Sequence, residues 1–219
     1  MDALFYTVVG KWDGRFGGWA MGQRILVTGA ARSGKSEWAE RLAEKAELNQ
    51  KTVIYVATSQ RYEGDREWDA RIDQHIDRRP SSWRTVEVKL DLAACIQSAI
   101  ETDCLLIDSL GSWVGNGLEL DDENWQSYTQ ELVKEIRTAK ADVILVSEET
   151  GWGVIPAYPM GRLFRDRLGQ VIRAIGQEMD ETFLVVAGFA VDVQKIGIAI
   201  DRRSKKEEGR GKREEGRRF

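Results

Sequence analysis

Two cysteines in 219 residues, Cys95 and Cys104, are too few for a disulfide framework. Three prolines exclude a collagen-like or proline-rich chain. No apolar run approaches the roughly 18 residues of a membrane-spanning helix, and no basic start followed by a long apolar stretch reads as a secretory signal. These absences predict a globular protein of the reducing cytoplasm. With 42% hydrophobic and 31% charged residues the chain has ample material for a core, and its length suits one large domain or two small ones.

The formal charge of −4 is unevenly spread, because residues 201–219 carry nine Lys/Arg against five Asp/Glu and leave the first 200 residues at −8. That segment has almost no apolar side chain to offset ordering entropy, so a charged flexible tail is expected over 196–219. Residues 1–23, rich in Gly and Trp without sustained periodicity, are expected to form an extension, with Met21 an alternative start.

From 24 to 195 short β-branched runs alternate with amphipathic stretches. Strands are predicted at Arg24–Thr28, Thr52–Thr58, Trp83–Val88, Cys104–Asp108, Asp142–Ser147 and Thr182–Ala187. Helices are predicted at Lys35–Leu48, Asp65–Asp77, Leu92–Glu101, Asp122–Thr138 and Gly161–Met179. Near-continuous apolar strands alternating with helices predict a single α/β domain, a mainly parallel sheet with helices on both faces. Ligands of such sheets gather where strands end and helices begin.

The first such junction reads Gly29-Ala30-Ala31-Arg32-Ser33-Gly34-Lys35-Ser36, a complete G-x-x-x-x-G-K-S between a strand and a helix. Its glycines let successive N–H groups turn toward phosphate oxygens, Lys35 supplies a cation for the β/γ-phosphates, and Ser36 is placed to hold Mg²⁺. Asp108, at the end of the fourth apolar run, is the expected acidic partner of that Mg²⁺. These residues predict a P-loop nucleotide site.

His75, the only histidine, falls in a stretch where Trp68, Ile72 and Ile76 recur at helical spacing and are expected to be buried, with Arg71 four residues before it on a neighbouring face. By itself such a histidine reads as a packing or surface residue. Its surroundings are more specific: Arg71-Ile72-Asp73-Gln74-His75-Ile76-Asp77-Arg78-Arg79-Pro80, then Trp83-Arg84-Thr85-Val86-Glu87, preceded by Ala57-Thr58-Ser59-Gln60 and the phosphate loop. Together these resemble the bifunctional adenosylcobinamide kinase / adenosylcobinamide-phosphate guanylyltransferase family over about Arg24 to Val186.

The resemblance implies phosphorylation of adenosylcobinamide followed by GMP transfer from GTP to adenosylcobinamide phosphate. It places the guanylylated residue on His75 and nucleotide contacts on Thr58, Ser59, Arg78, Arg79, Glu87 and Asp108, and it implies a homotrimer. The chemistry agrees: a largely neutral imidazole can attack the α-phosphorus of GTP, and Arg78 and Arg79 suit phosphate oxygens. A Glu87 carboxylate can accept from both donors on the guanine edge. The co-substrate of the kinase step is GTP or ATP. The chain departs from the family pattern at Glu148, where asparagine is usual, at Ala157-Tyr158 and at Ile172-Arg173.

On the residues alone two alternatives stay open: a monofunctional P-loop small-molecule kinase with a structural His75, and a non-catalytic nucleotide-dependent module whose basic tail touches nucleic acid. The core lacks a basic face or an aromatic RNA-binding signature, which speaks against a nucleic-acid partner. Trp113, Trp125 and Trp152 are expected in loops or near helix starts, as core or contact residues or as rests for a flat corrinoid.

Overall fold

The computed structural model describes residues 22–61 and 64–200. The extension over 1–21, the tail over 201–219 and the side chains of Trp68 and Arg71 lie outside the described residues.

The six predicted strands are present as β1 (Arg24–Gly29), β2 (Thr52–Ala57), β3 (Arg84–Glu87), β4 (Asp103–Asp108), β5 (Asp142–Glu148) and β6 (Glu181–Val186). They form one sheet with a seventh, β7 (Phe189–Asp192), in the order β3-β2-β4-β5-β1-β6-β7. All neighbours are parallel except β6 and β7. The predicted helices appear as α1 (Lys35–Leu48), α2 (Arg66–Asp77), α3 (Leu92–Ser98), α5 (Asp122–Arg137) and α6 (Pro159–Gly176).

Alternation along the strands divides the core in two. Ile25, Val27, Val53, Tyr55, Leu106, Ile144 and Val146 face α1 and its Ala39, Leu42 and Ala43. Leu26, Val56, Leu105, Ile107, Val143 and Leu145 face the other way, onto side chains of α3, α5, α6 and α4 (Leu110–Asn116). The mainly parallel, doubly covered α/β sheet is therefore as expected.

Three elements lie outside the predicted set. Helix α4 carries two glycines in seven residues, a poor intrinsic helix former. It forms because Ser109 caps it through Ser112 N–H and because Leu110, Trp113 and Val114 are buried. Strand β7 follows a two-residue turn, Ala187 and Gly188, both at positive φ (50° and 81°). This conformation suits a tight hairpin, but alanine there disguises the turn. A short helix, α7 (Val193–Ile196), capped by Asp192, is the last regular element among the described residues.

One expectation is corrected. Ile76 is 46% exposed and Ile72 only half-buried, and neither belongs to a core layer. The described contacts of α2 are instead polar, Arg61 reaching Asp69 and Asp73 and His75 facing Asp108 and Arg78. Trp113 is inside α4, fully buried, with its indole N–H donating to Leu90 C=O at 2.8 Å and its ring 5.1 Å from that of Trp125. Of the three tryptophans only Trp152 is exposed.

Trp113→Ala removes the largest fully buried side chain of the layer beneath the site. It is expected to lower unfolding free energy by about 3–5 kcal/mol in urea titrations. Leu48→Ala, at an exposed position, is expected to change it by less than about 0.5 kcal/mol.

Candidate active site

The carboxyl ends of the parallel strands form a rim on which every candidate residue can be located. Register places Gly29 beside Glu148, Asp108 beside Val146, and Ala57 between Asp108 and Glu87.

At β1 the chain turns through Gly29–Ser36 into α1. A β-carbon on Gly29 would sit 2.5 Å from Val185 C=O and 2.7 Å from Ser33 Oγ, so only glycine fits. Arg32 and Gly34 adopt positive φ (60° and 93°), which curls the loop before Trp38 N–H bonds Gly34 C=O at 2.9 Å. Ala30, Ala31 and Arg32 are exposed, while Ser33, Gly34 and Ser36 are half-buried. Lys35 is buried and folds back over the loop, its Nζ 3.5 Å from Ala30 C=O.

Two strands away, the Asp108 carboxylate accepts a 3.0 Å hydrogen bond from the Tyr55 hydroxyl. Burial, with the Asp108 charge adding to it, pushes the Tyr55 phenol far above its ordinary range, so it stays a donor. The His75 ring stands over the same carboxylate, Nδ1 lying 3.9 Å from Asp108 Oδ2, with 37% of its side chain exposed. Arg78 Nη2 lies 3.1 Å from Nδ1. A guanidinium only donates, so Nδ1 is the acceptor and the neutral ring carries its proton on Nε2. Burial lowers the His75 pKa; Asp108 works against this, and Arg78, Arg79 and Lys35 reinforce it.

Arg78 also reaches Glu37 (3.2 Å) and Glu40 (3.3 Å) on α1, which ties the end of α2 to the helix that opens at the phosphate loop. Burial raises the Glu40 carboxyl, opposed chiefly by Arg78. The Arg79 guanidinium lies 3.4 Å over the Tyr55 ring. Both arginines are therefore held toward Asp108 and are not a merely solvated helix end.

Thr58 is 1% exposed, its hydroxyl donating to Ser109 C=O (2.7 Å) and accepting from Ser109 N–H (2.8 Å). Thr58 thus braces the turn after Asp108. Ser59 is half-buried, with Oγ 2.9 Å from Ser112 Oγ. Glu87 is exposed at the end of β3.

Sequence reasoning assigned no site role to Tyr55, Glu37 or Glu40, and noted Glu148 only as a departure. Glu148 accepts from Ser109 Oγ–H (2.6 Å) and Gly111 N–H (3.0 Å), so it grips the turn after β4 from the β5 side. Burial raises its carboxyl, partly offset by the Ser109 hydrogen bond. The two acidic residues on α1, three apart and just after the phosphate loop, were the one readable signal among these.

Among the described residues no group of three or more His, Cys, Asp or Glu forms a metal site by itself. Mg²⁺ is commonly held through one or two carboxylates together with substrate phosphates. The Asp108 carboxylate and the Ser36 hydroxyl are a donor set of that kind, completed only by a bound nucleotide. No helix among the described residues is long and apolar enough to cross a membrane.

The family model described as cobinamide kinase / cobinamide phosphate guanyltransferase matches residues 25–193. The chain is 39% identical over 173 residues to a bifunctional adenosylcobalamin biosynthesis protein, CobP, of Pseudomonas aeruginosa, covering 78% of this chain and 97% of the relative. It is 37% identical over 185 residues to the corresponding CobU of Salmonella typhimurium, covering 78% and 99%. A solved KaiC-like protein of Pyrococcus horikoshii aligns at a TM-score of 0.44 and 17% identity, over 75% of this chain and 71% of that one. With a phosphate loop, a carboxylate two strands away and a histidine above it, the chain belongs to the cobinamide kinase / cobinamide phosphate guanyltransferase family.

Proposed function

We propose that one nucleotide site along the rim serves both family reactions, binding a fresh triphosphate for each, with His75 as the residue that carries GMP. The observation that carries this reading is the His75 imidazole beside Asp108, in the same cleft as Lys35. Neighbouring strands are about 4.8 Å apart, so the phosphate loop on β1 and Glu87 on β3 each lie about 10 Å from Asp108 along the rim. An extended GTP so placed has its β- and γ-phosphates on Gly29–Ser36, its α-phosphorus in front of His75 and its guanine toward Glu87.

In the kinase step the loop amides and Lys35 hold the triphosphate while the cobinamide hydroxyl displaces ADP or GDP from the γ-phosphorus; catalysis is chiefly positioning. Mg²⁺, held by Ser36 and Asp108, supplies charge neutralisation on the phosphates when bound. In the transferase step the imidazole nitrogen bonds the α-phosphorus as the bond to pyrophosphate breaks. A phosphate oxygen of cobinamide phosphate then displaces the imidazole and takes GMP. Phosphate oxygens compete with Nδ1 for the Arg78 donors, which frees that nitrogen as the nucleotide arrives. Ser59 and Arg79 line the same approach, with Thr58 behind them. The working unit is proposed to be residues 24–195, as a homotrimer in the cytoplasm.

Incubation with α-labelled GTP is expected to give an acid-labile, alkali-stable covalent label on the protein that is absent from His75→Ala. Cobinamide kinase activity without any label would leave a plain P-loop kinase. Lys35→Ala is expected to lower kcat for cobinamide phosphorylation by on the order of 10²–10³, measured by nucleoside diphosphate release at saturating substrate. Because His75 is the only imidazole, proton NMR of tag-free, nucleotide-free protein isolates its titration. Lowering of a basic group's pKa favours the neutral ring, so the midpoint is expected below the ordinary value of about 6.5. A midpoint at or above that value would contradict the buried, arginine-flanked setting.

A further inference from the structure

A cobinamide enzyme needs somewhere to rest a corrin macrocycle, whose faces are methyl-rich and whose rim carries neutral carboxamides. The cavity between α5 and α6, lined by Trp125, Leu163 and Arg167 among others, measures about 280 Å³, just below the roughly 300–1,000 Å³ of pockets for much smaller ligands. The ring needs a surface within reach of the γ-phosphate.

The segment joining β5 to α6 has the matching chemistry. Residues 150–161 hold no charged side chain, in a protein that is 31% charged. Within them Trp152, Val154, Ile155, Tyr158 and Met160 are each 66–92% exposed. The segment starts against the phosphate loop: Glu149 N–H donates to Gly29 C=O at 3.0 Å, and the Thr28 hydroxyl donates to the Glu149 carboxylate at 2.9 Å. Its far end is fixed by Arg162, which donates to the carbonyls of Pro156 (3.0 Å) and Ala157 (2.7 Å). The apolar side chains thus stand on a loop anchored at both ends and continuous with the nucleotide site.

We infer that this segment is the platform for the corrin ring, with Trp152 and Ile155 meeting an apolar face of the macrocycle while the aminopropanol arm reaches the phosphate loop. Charge complementarity selects the occupant. A phosphorylated or nucleic-acid ligand would meet no cation on these twelve residues, whereas a neutral amide-rimmed, methyl-faced ring meets apolar surface and free backbone polar groups. The inference rests on the cobinamide-directed activity of the family.

The test compares wild type, Trp152→Ala/Ile155→Ser and, as a control at a distant exposed apolar position, Ile198→Ser. Each is assayed for adenosylcobinamide binding by equilibrium dialysis, for KM and kcat in phosphorylation, and for subunit number by sedimentation. Loss of one aromatic and one aliphatic contact with the ring is expected to raise the Kd and KM for adenosylcobinamide at least about tenfold. The nucleotide KM, the sedimentation and the Ile198→Ser values should stay at wild type. Unchanged adenosylcobinamide binding in the double variant, with active wild type, overturns the platform and leaves the family reading intact. A smaller subunit number in the double variant makes the segment a contact between copies and equally overturns the platform. Wild type that neither binds nor phosphorylates adenosylcobinamide removes the reading and the inference together.

Discussion

One largely buried negative charge, the Asp108 carboxylate, organises the rim of this protein. A charge withdrawn from water needs partners, and Asp108 takes them from two elements that are distant in sequence. The Tyr55 hydroxyl comes from the neighbouring strand and the His75 ring from a helix above, while the turn that follows at Ser109 is clamped by Thr58 and Glu148. Remove the charge and the consequences propagate: the Tyr55 hydroxyl loses its acceptor, and the imidazole loses the principal influence opposing the burial that lowers its pKa. The carboxylate that helps to hold Mg²⁺ in the proposed reaction thus also bears on the protonation of the histidine beside it.

Two cations of the site are held in place before any phosphate arrives. Arg78 rests between Glu37, Glu40 and His75, and Arg79 lies on the Tyr55 ring. Donors already aimed at the cleft need little reorganisation when an anion enters, and this is the condition under which fixed charges stabilise a transition state most effectively. The same pairing ties α2 to α1. That matters because Ile72 and Ile76 contribute to neither core layer, so polar contacts define where the histidine stands.

What was legible in the sequence was what is contiguous. The phosphate loop is eight successive residues, and its flanking strand and helix show their own periodicity, so its geometry could be anticipated in full. Asp108 was readable as the last residue of an apolar run. His75 was not legible by periodicity, which left it on an ordinary helix flank; only the resemblance of the surrounding string assigned it a role. Tyr55, Glu40 and the grip of Glu148 depend on which strands become neighbours, and the β2-β4 and β5-β1 pairings join segments about 50 and 120 residues apart. The bracing by Thr58 is hidden for the same reason: only the register with β4 brings Ser109 to its hydroxyl.

Strand spacing also explains how one loop can serve two chemistries. The two phosphorus atoms attacked in the proposed reactions, γ and α, belong to triphosphates that occupy the same site in turn, and the sheet would present them to different residues: Lys35 at the β1 end, His75 above β4. A substrate arm that has taken a phosphoryl group at the first position must next attack at the second, a short shift along one rim. The macrocycle at the other end of that arm need not move far if it rests beside β5, the strand that lies between the two positions. A platform on the loop leaving β5 is equidistant, in strand intervals, from the phosphate loop on β1 and the carboxylate on β4. The order of the strands therefore couples the two half-reactions: it keeps the bulky part of the substrate on one strand's loop while the reactive end addresses its neighbours on either side.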